Sequence, residues 1–191
     1  MNKMKFKNIR NTPHNINDRI IWESRHVTVV GIIILYMDSK IYVLASTRGP
    51  NAMSENGKMN LVVGFLDWNE TTSEAVIREC WEETGFNVPA YMKKYKIKLN
   101  NITEPWSINS DPNRHKSQNV SFRYGVILEA SSNAKLPLLS VVNNEIVGEI
   151  ENPIWLPIGD IDKHIWAFNH DELIKLYMLF SEKELLKSNE L

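Results

Sequence analysis

The chain has one cysteine, Cys80, in 191 residues, so no internal disulfide can form, and a reducing, cytoplasmic setting suits it. It has no excess of basic charge. Lysine and arginine total 22 against 23 acidic residues, a net charge of −1, so there is no global field to attract nucleic acid, and none is expected as a partner. It lacks an apolar run of transmembrane length. The longest candidate, Val29 to Met37, is too short, and no membrane association is expected. Lys3, Lys5 and Lys7 are not followed by an apolar stretch, so the N-terminus does not read as a secretory signal. There is no internal repeat and no low-complexity tract. What remains is a chain of a size that suits one domain with a sizeable core.

The most informative stretch is residues 64–86, GFLDWNETTSEAVIRECWEETGF, with six acidic residues, one arginine and two glycines. Asn60 to Gly64 reads as a short strand, Asp67 and Asn69 as turn residues. Thr72 or Ser73 can cap a helix, Glu74 to Thr84 contains neither glycine nor proline, and Gly85 is a natural C-terminal stop. Helical spacing predicts a stripe of Val76, Ile77, Cys80, Trp81 and Thr84 against a sheet, with Glu79, Glu82 and Glu83 on roughly the opposite side. Three like charges on one helical face destabilise the helix unless a cation neutralises them. Carboxylates are hard ligands suited to Mg²⁺ or Mn²⁺. Cys80, on the apolar flank, reads as a small core residue rather than a nucleophile.

Gly64, Glu70, Arg78, Glu79, Glu82, Glu83 and Gly85, with apolar Cys80 and Phe86, match every fixed position of the pattern G-x5-E-x7-R-E-U-x-E-E-x-G-U (U a bulky apolar residue). This resembles the signature box of the Nudix hydrolase family. The margins depart from the common form: Val63 stands where relatives often have glycine, and so does Asn69, which tolerates a left-handed backbone better than most residues. Neither change touches an expected metal ligand. The segments Glu149 to Pro157 and Ala167 to Ile174 are similar to late segments of the family, the second to the ADP-ribose pyrophosphatase-like branch.

The resemblance implies an α/β fold, the Nudix-type α/β/α sandwich with a mixed sheet, over roughly residues 26–180. Residues 26–191 are expected to form a single domain, with 1–25 as an N-terminal arm or extra strand. Strands are expected at His26 to Tyr36, Ile41 to Thr47, Tyr91 to Lys98, Val120 to Glu129 and Ile154 to Leu156, and a terminal helix at Asp171 to Lys187, capped by Asn169 or Asp171. Arg48 to Met59 reads as a rim loop, Asn101 to Gln118 as a long polar loop, and Leu136 to Gly148 is ambiguous.

The activity implied is divalent-cation-dependent hydrolysis of the diphosphate linkage in a small-molecule nucleotide: an ADP-ribose-like sugar nucleotide, a dinucleotide or a nucleoside triphosphate. Glu79, Glu82, Glu83 and the Gly64 carbonyl are the expected ligands of Mg²⁺ or Mn²⁺. Arg78 is expected to pair with Glu70 and hold the loop to the helix. Three carboxylates compete as general base: Glu83, Glu149 and, behind it, Glu151. Arg48 is a candidate phosphate contact or a surface arginine, and Arg114 and His115 are further phosphate candidates. Among the aromatic residues Trp22, Phe65, Trp68, Trp106 and Phe168, Phe65 and Trp68 are the chosen substrate contacts, Trp68 foremost for stacking. His170 is expected to cap or pack rather than bind metal. Two other classes compete: a non-catalytic nucleotide sensor on the same fold, and an isoprenoid diphosphate isomerase. The isomerase needs a cysteine outside the box helix, which this chain lacks. A homodimer is left open.

Overall fold

The computed structural model describes residues 11–112, 119–131, 134–143 and 146–189. Strands β1 (Thr12–Ile16) and β2 (Arg19–Glu23) pair antiparallel as a separate two-stranded sheet, every residue exposed. Asn17 and Asp18 turn the hairpin at φ 50° and 62°, the positive values a two-residue turn needs.

The apolar run after His26 becomes β3 (Val27–Met37), the central strand. It turns at Asp38 and Ser39, again with positive φ, into β4 (Lys40–Arg48). Asn60 to Gly64 is not one strand. It divides at Leu61 into β5 (Met59–Asn60), paired with β4, and β6 (Val62–Phe65), paired with β3. Helix α1 (Thr72–Thr84) follows, then α2 (Val88–Lys94), β7 (Lys96–Asn101), β8 (Ser107–Asn109), β9 (Val120–Glu129), β10 (Ile150–Pro157) and α3 (His170–Asn189). The path through the main sheet is β10-β4-β3-β9-β7, with β5, β6 and β8 alongside it. β3 and β9 run parallel and the other pairs antiparallel, so the sheet is mixed.

β3 is apolar throughout because both of its faces are covered. Val29, Ile33 and Leu35 pack with Ala75, Val76 and Cys80 of α1. Val30, Ile32 and Ile34 pack with Leu173, Ile174 and Tyr177 of α3. The alternation of side chains along a strand thus gives two cores from one run and the three-layer α/β/α arrangement. Among the described residues no helix is long and apolar enough to cross a membrane.

Tyr91 to Lys98 is not a strand throughout. Its first part lies in α2, because the Asn87 side chain accepts from the Ala90 N–H and Pro89 sits in the first turn, where its missing N–H is harmless. The Tyr91 ring then stacks on Phe86 at 4.4 Å, and the strand begins only at Lys96. The long polar loop contains the short strand β8, paired with β9. Leu136 to Gly148 has no strand or helix among its described residues, yet Ser140 and Val142 donate backbone N–H groups to the Thr84 and Glu82 carbonyls. That path seats it along the end of α1.

Candidate active site

The site is built where β6 ends, α1 passes and β10 begins. The α1 cap is Thr71, one residue before the expected Thr72 or Ser73. Its hydroxyl accepts from the Glu74 N–H, and the Glu74 carboxylate accepts from the Thr71 N–H. At the other end Gly85 takes φ 69° and its N–H donates to the Trp81 carbonyl. Asn69 stands at φ 64°, where relatives often carry glycine.

The burial of α1 corrects the expected stripe. Ala75, Val76, Cys80, Glu83 and Thr84 are buried, whereas Trp81 is exposed. Glu83 follows Val76 by about two turns, so it points into the sheet-facing side and not away from it. Glu79 and Glu82 flank it at the rim. Burial also pushes the Cys80 thiol up to about 12, an unreactive core residue.

Arg78 is the hub. Its Nε and Nη2 bind both oxygens of Glu70 at 3.0 and 2.9 Å, the bidentate fork of guanidinium and carboxylate. Its Nη1 binds Glu79 and Glu82 at 2.8 and 2.9 Å, and Nη2 also donates to the Phe65 carbonyl. Glu70 further accepts from the Asp67 N–H. The guanidinium therefore ties the loop 65–70 to the helix face. The Glu70 bond, first, holds its charge well above the ordinary arginine range, and the same bond holds the Glu70 carboxyl below the ordinary carboxylate range.

A cleft opens beside this hub. Gly64, Phe65, Asp67, Glu79, Glu82, Glu83, Glu149, Asn143, Met53 and Ile146 line it, together with Val63 and Ile150. Five carboxylates face one cavity, and no lysine, arginine or histidine lines it among the described residues. Glu83 is 5% exposed. Burial, first, pushes its carboxyl well above the ordinary range. Glu79 and Glu149 push the same way, while the Val63 N–H and the Arg48 charge oppose them. Glu83 Oε2 is buried without a hydrogen-bond partner among the described residues. Gly64 touches the Glu79 carboxylate so closely that a Cβ there would lie 1.9 Å from Oε1.

These features fit a divalent cation: an unpartnered buried carboxylate oxygen, surplus negative charge and hard oxygen donors. Glu79, Glu82, Glu83 and the Gly64 carbonyl are the donors that would hold it. Among the described residues no group of three or more His, Cys, Asp or Glu side chains is arranged to hold a metal ion, and Arg78 Nη1 pairs with both Glu79 and Glu82.

The other expected site residues divide. Phe65 is half exposed and lines the cleft. Trp68 is 95% exposed and does not, since it stands outward at the turn before Asn69. Glu149 lines the cleft, while Glu151 is exposed outside it on β10. Arg48 is neither a surface residue nor a lining one. It is 7% exposed, with its charge turned toward Glu149. Trp22 lies in the exposed hairpin, and Trp106 packs on Tyr177 and Phe180 on the far side of the sheet. Phe168 lies under the Arg48 guanidinium. His170 is buried and its Nδ1 accepts the Leu61 N–H, a packing role. Arg114 and His115 lie outside the described residues. Asp67, Asn143, Met53 and Ile146 were not expected. Asp67 reads only as a turn former. Asn143, which donates to Glu82, lies in the segment whose structure the sequence left ambiguous.

The chain matches the NUDIX domain family over residues 25–177 and belongs to it. No curated protein matches it. Its fold is similar to the NUDIX domain of Shewanella oneidensis NrtR complexed with ADP ribose. That likeness has a TM-score of 0.54 at 20% identity, over 86% of this chain and 90% of that one. It is also similar to a bifunctional NMN adenylyltransferase/ADP ribose pyrophosphatase from Francisella tularensis complexed with AMP and a Mn ion. There the TM-score is 0.61 at 18% identity, over 83% of this chain and 42% of that one. A C. elegans Ap4A hydrolase gives a TM-score of 0.55 at 14% identity, over 80% and 96%.

Proposed function

We propose that the protein hydrolyses the diphosphate linkage of a nucleoside diphosphate derivative with Mg²⁺ or Mn²⁺, in one domain spanning residues 26–191. The observation that carries this reading is the charge of the cleft. Five carboxylates and no basic side chain line it among the described residues. A substrate diphosphate would be repelled there without cations between. Glu79, Glu82, Glu83 and the Gly64 carbonyl would hold a divalent cation, which would supply compensating positive charge and make a water more acidic.

The chain's own residues do the rest. Arg78 keeps the Gly64 to Glu70 segment against α1, so the ligand set is positioned before substrate arrives. Glu149 takes the proton of the attacking water, with Glu83 as the other carboxylate within the cleft able to do so. Met53, Phe65 and Ile146 form an apolar rim that suits the flat faces of a nucleoside. An ADP-ribose-like sugar nucleotide is the preferred substrate, supported by the sequence of Ala167 to Ile174 and by the ADP ribose and AMP held by the similar structures.

The test is a panel of ADP-ribose, dinucleoside polyphosphates and nucleoside triphosphates in Mg²⁺ and in Mn²⁺, with products separated by chromatography. A nucleoside monophosphate from at least one diphosphate nucleotide is expected. Tight nucleotide binding with no product from any of them would select the sensor reading instead.

A further inference from the structure

Arg48 has the charge expected of a phosphate contact, but its surroundings assign it other work. It ends β4, and its backbone pairs with Lys58 and Gly57 across the base of the rim loop. Its Nε donates to the Ser54 carbonyl at 2.8 Å. Its guanidinium lies 5.3 Å from the centre of the Phe168 ring. Its Nη2 lies 3.8 Å from Glu149 Oε1. The side chain is thus held on three sides, and it is not among the residues lining the cleft.

The backbone around it is equally fixed. Arg48 sits opposite Ile150 in the β4–β10 register, and the pairing runs on beyond the strands. The Gly49 N–H donates to the Glu149 carbonyl at 2.7 Å and the Asn51 N–H to the Gly148 carbonyl at 3.1 Å. The Asn51 side chain donates to the Val147 carbonyl at 2.8 Å. A Cβ on Gly49 would lie 2.2 Å from the Gly148 carbonyl oxygen, so only glycine permits this approach. The rim loop and residues 147–149 are therefore one latched unit. Among the described residues the cation paired with Glu149 is Arg48.

We propose that Arg48 is a positioning residue that holds the Glu149 carboxylate in the cleft beside Glu83, and that it does not bind substrate phosphate. This inference rests on the hydrolase reading for its catalytic consequence but not for its structural one. A buried cation 3.8 Å from a carboxylate favours rotamers that keep the two charges close, and a base must be placed within reach of its water before it can act. Arg48 is 7% exposed and is not among the residues lining the cleft; its guanidinium is turned to Ser54, Phe168 and Glu149.

The test is a double-mutant cycle of Arg48→Gln and Glu149→Gln, read in two ways. With whichever diphosphate nucleotide the wild type turns over, Arg48→Gln is expected to lower kcat about tenfold with KM within about twofold. In the Glu149→Gln background it is expected to cost less than about threefold more. A raised KM at unchanged kcat, or losses that multiply in full, would overturn the proposal. The second reading needs no turnover. Hydrogen exchange of residues 49–52 and 146–150 in the substrate-free protein is expected to quicken in Arg48→Gln. Unchanged exchange there would overturn the proposal. A wild type without turnover on any substrate defeats the hydrolase reading, and the exchange result still decides whether Arg48 holds Glu149. Should Arg48→Gln fail to fold, Arg48→Lys replaces it in the same cycle with the same criteria, since it keeps the charge but loses the fork.

Discussion

At the scale of single residues, the site turns on two side chains with opposite demands. Arg78 needs its shape. It bonds Glu70 through two nitrogens while also reaching Glu79, Glu82 and the Phe65 carbonyl. An ammonium has no planar fork with which to meet all of them. Arg78→Lys should therefore lose most turnover although its charge is kept, and steady-state rates of the two proteins check this. Full activity in the lysine variant would reduce Arg78 to a neighbouring charge. Glu83 needs its charge compensated. Because burial raises its carboxyl well above the usual 4.5, the folded chain holds that proton to higher pH than the unfolded chain does. Its contribution to stability is present at low pH and is lost as pH rises from the ordinary carboxylate range through the raised value. A cation bound to the charged form opposes that loss. The gain in melting temperature on adding Mg²⁺ should therefore grow as pH rises above the ordinary carboxylate range, and Glu83→Gln should flatten the trend. A gain independent of pH would separate Glu83 from the ion.

At the scale of elements, α1 carries the box carboxylates and its ends define it. The Thr71–Glu74 box satisfies donors at the start of the helix, and Gly85 closes the other end with a left-handed turn against the Ser140 carbonyl. Thr71→Ala should cost about 1 kcal/mol in chemical denaturation, the ordinary worth of an N-cap. A change near zero would show that packing alone fixes the helix start. The sequence made this element legible in kind and nearly in extent, because a glycine-free, proline-free segment followed by glycine leaves few choices. It did not show which carboxylate is buried. Spacing says which residues share a face, but the placement of β6 and the Val63 N–H decides which face is inside. The same limit hid the first part of α2, where the helix depends on the Asn87 cap and Pro89 and not on an apolar period.

At the scale of the whole molecule, the sheet was legible where one strand is apolar on both faces and two-residue turns follow it, as at β3 and β4. The family box singled out Gly64, Glu79, Glu82 and Glu83 as a set, and all four line the cleft. The latch between the rim loop and residues 147–149 was not, since it joins segments about a hundred residues apart and has no local pattern. Nor was the inward turn of Arg48, which depends on Phe168 and Glu149 lying on either side. The cleft that results concentrates negative charge in one place, and the central claim is that divalent cations make that charge useful. The most direct measurement is the rate of diphosphate hydrolysis against Mg²⁺ concentration for the wild type and Glu82→Gln, with a chelator as the zero point. No turnover is expected in chelator, and saturable activation is expected in the wild type. In Glu82→Gln the expected rate is lower by about two orders of magnitude or more. Turnover undiminished by the chelator, or a Glu82→Gln protein as fast as the wild type, would contradict that claim.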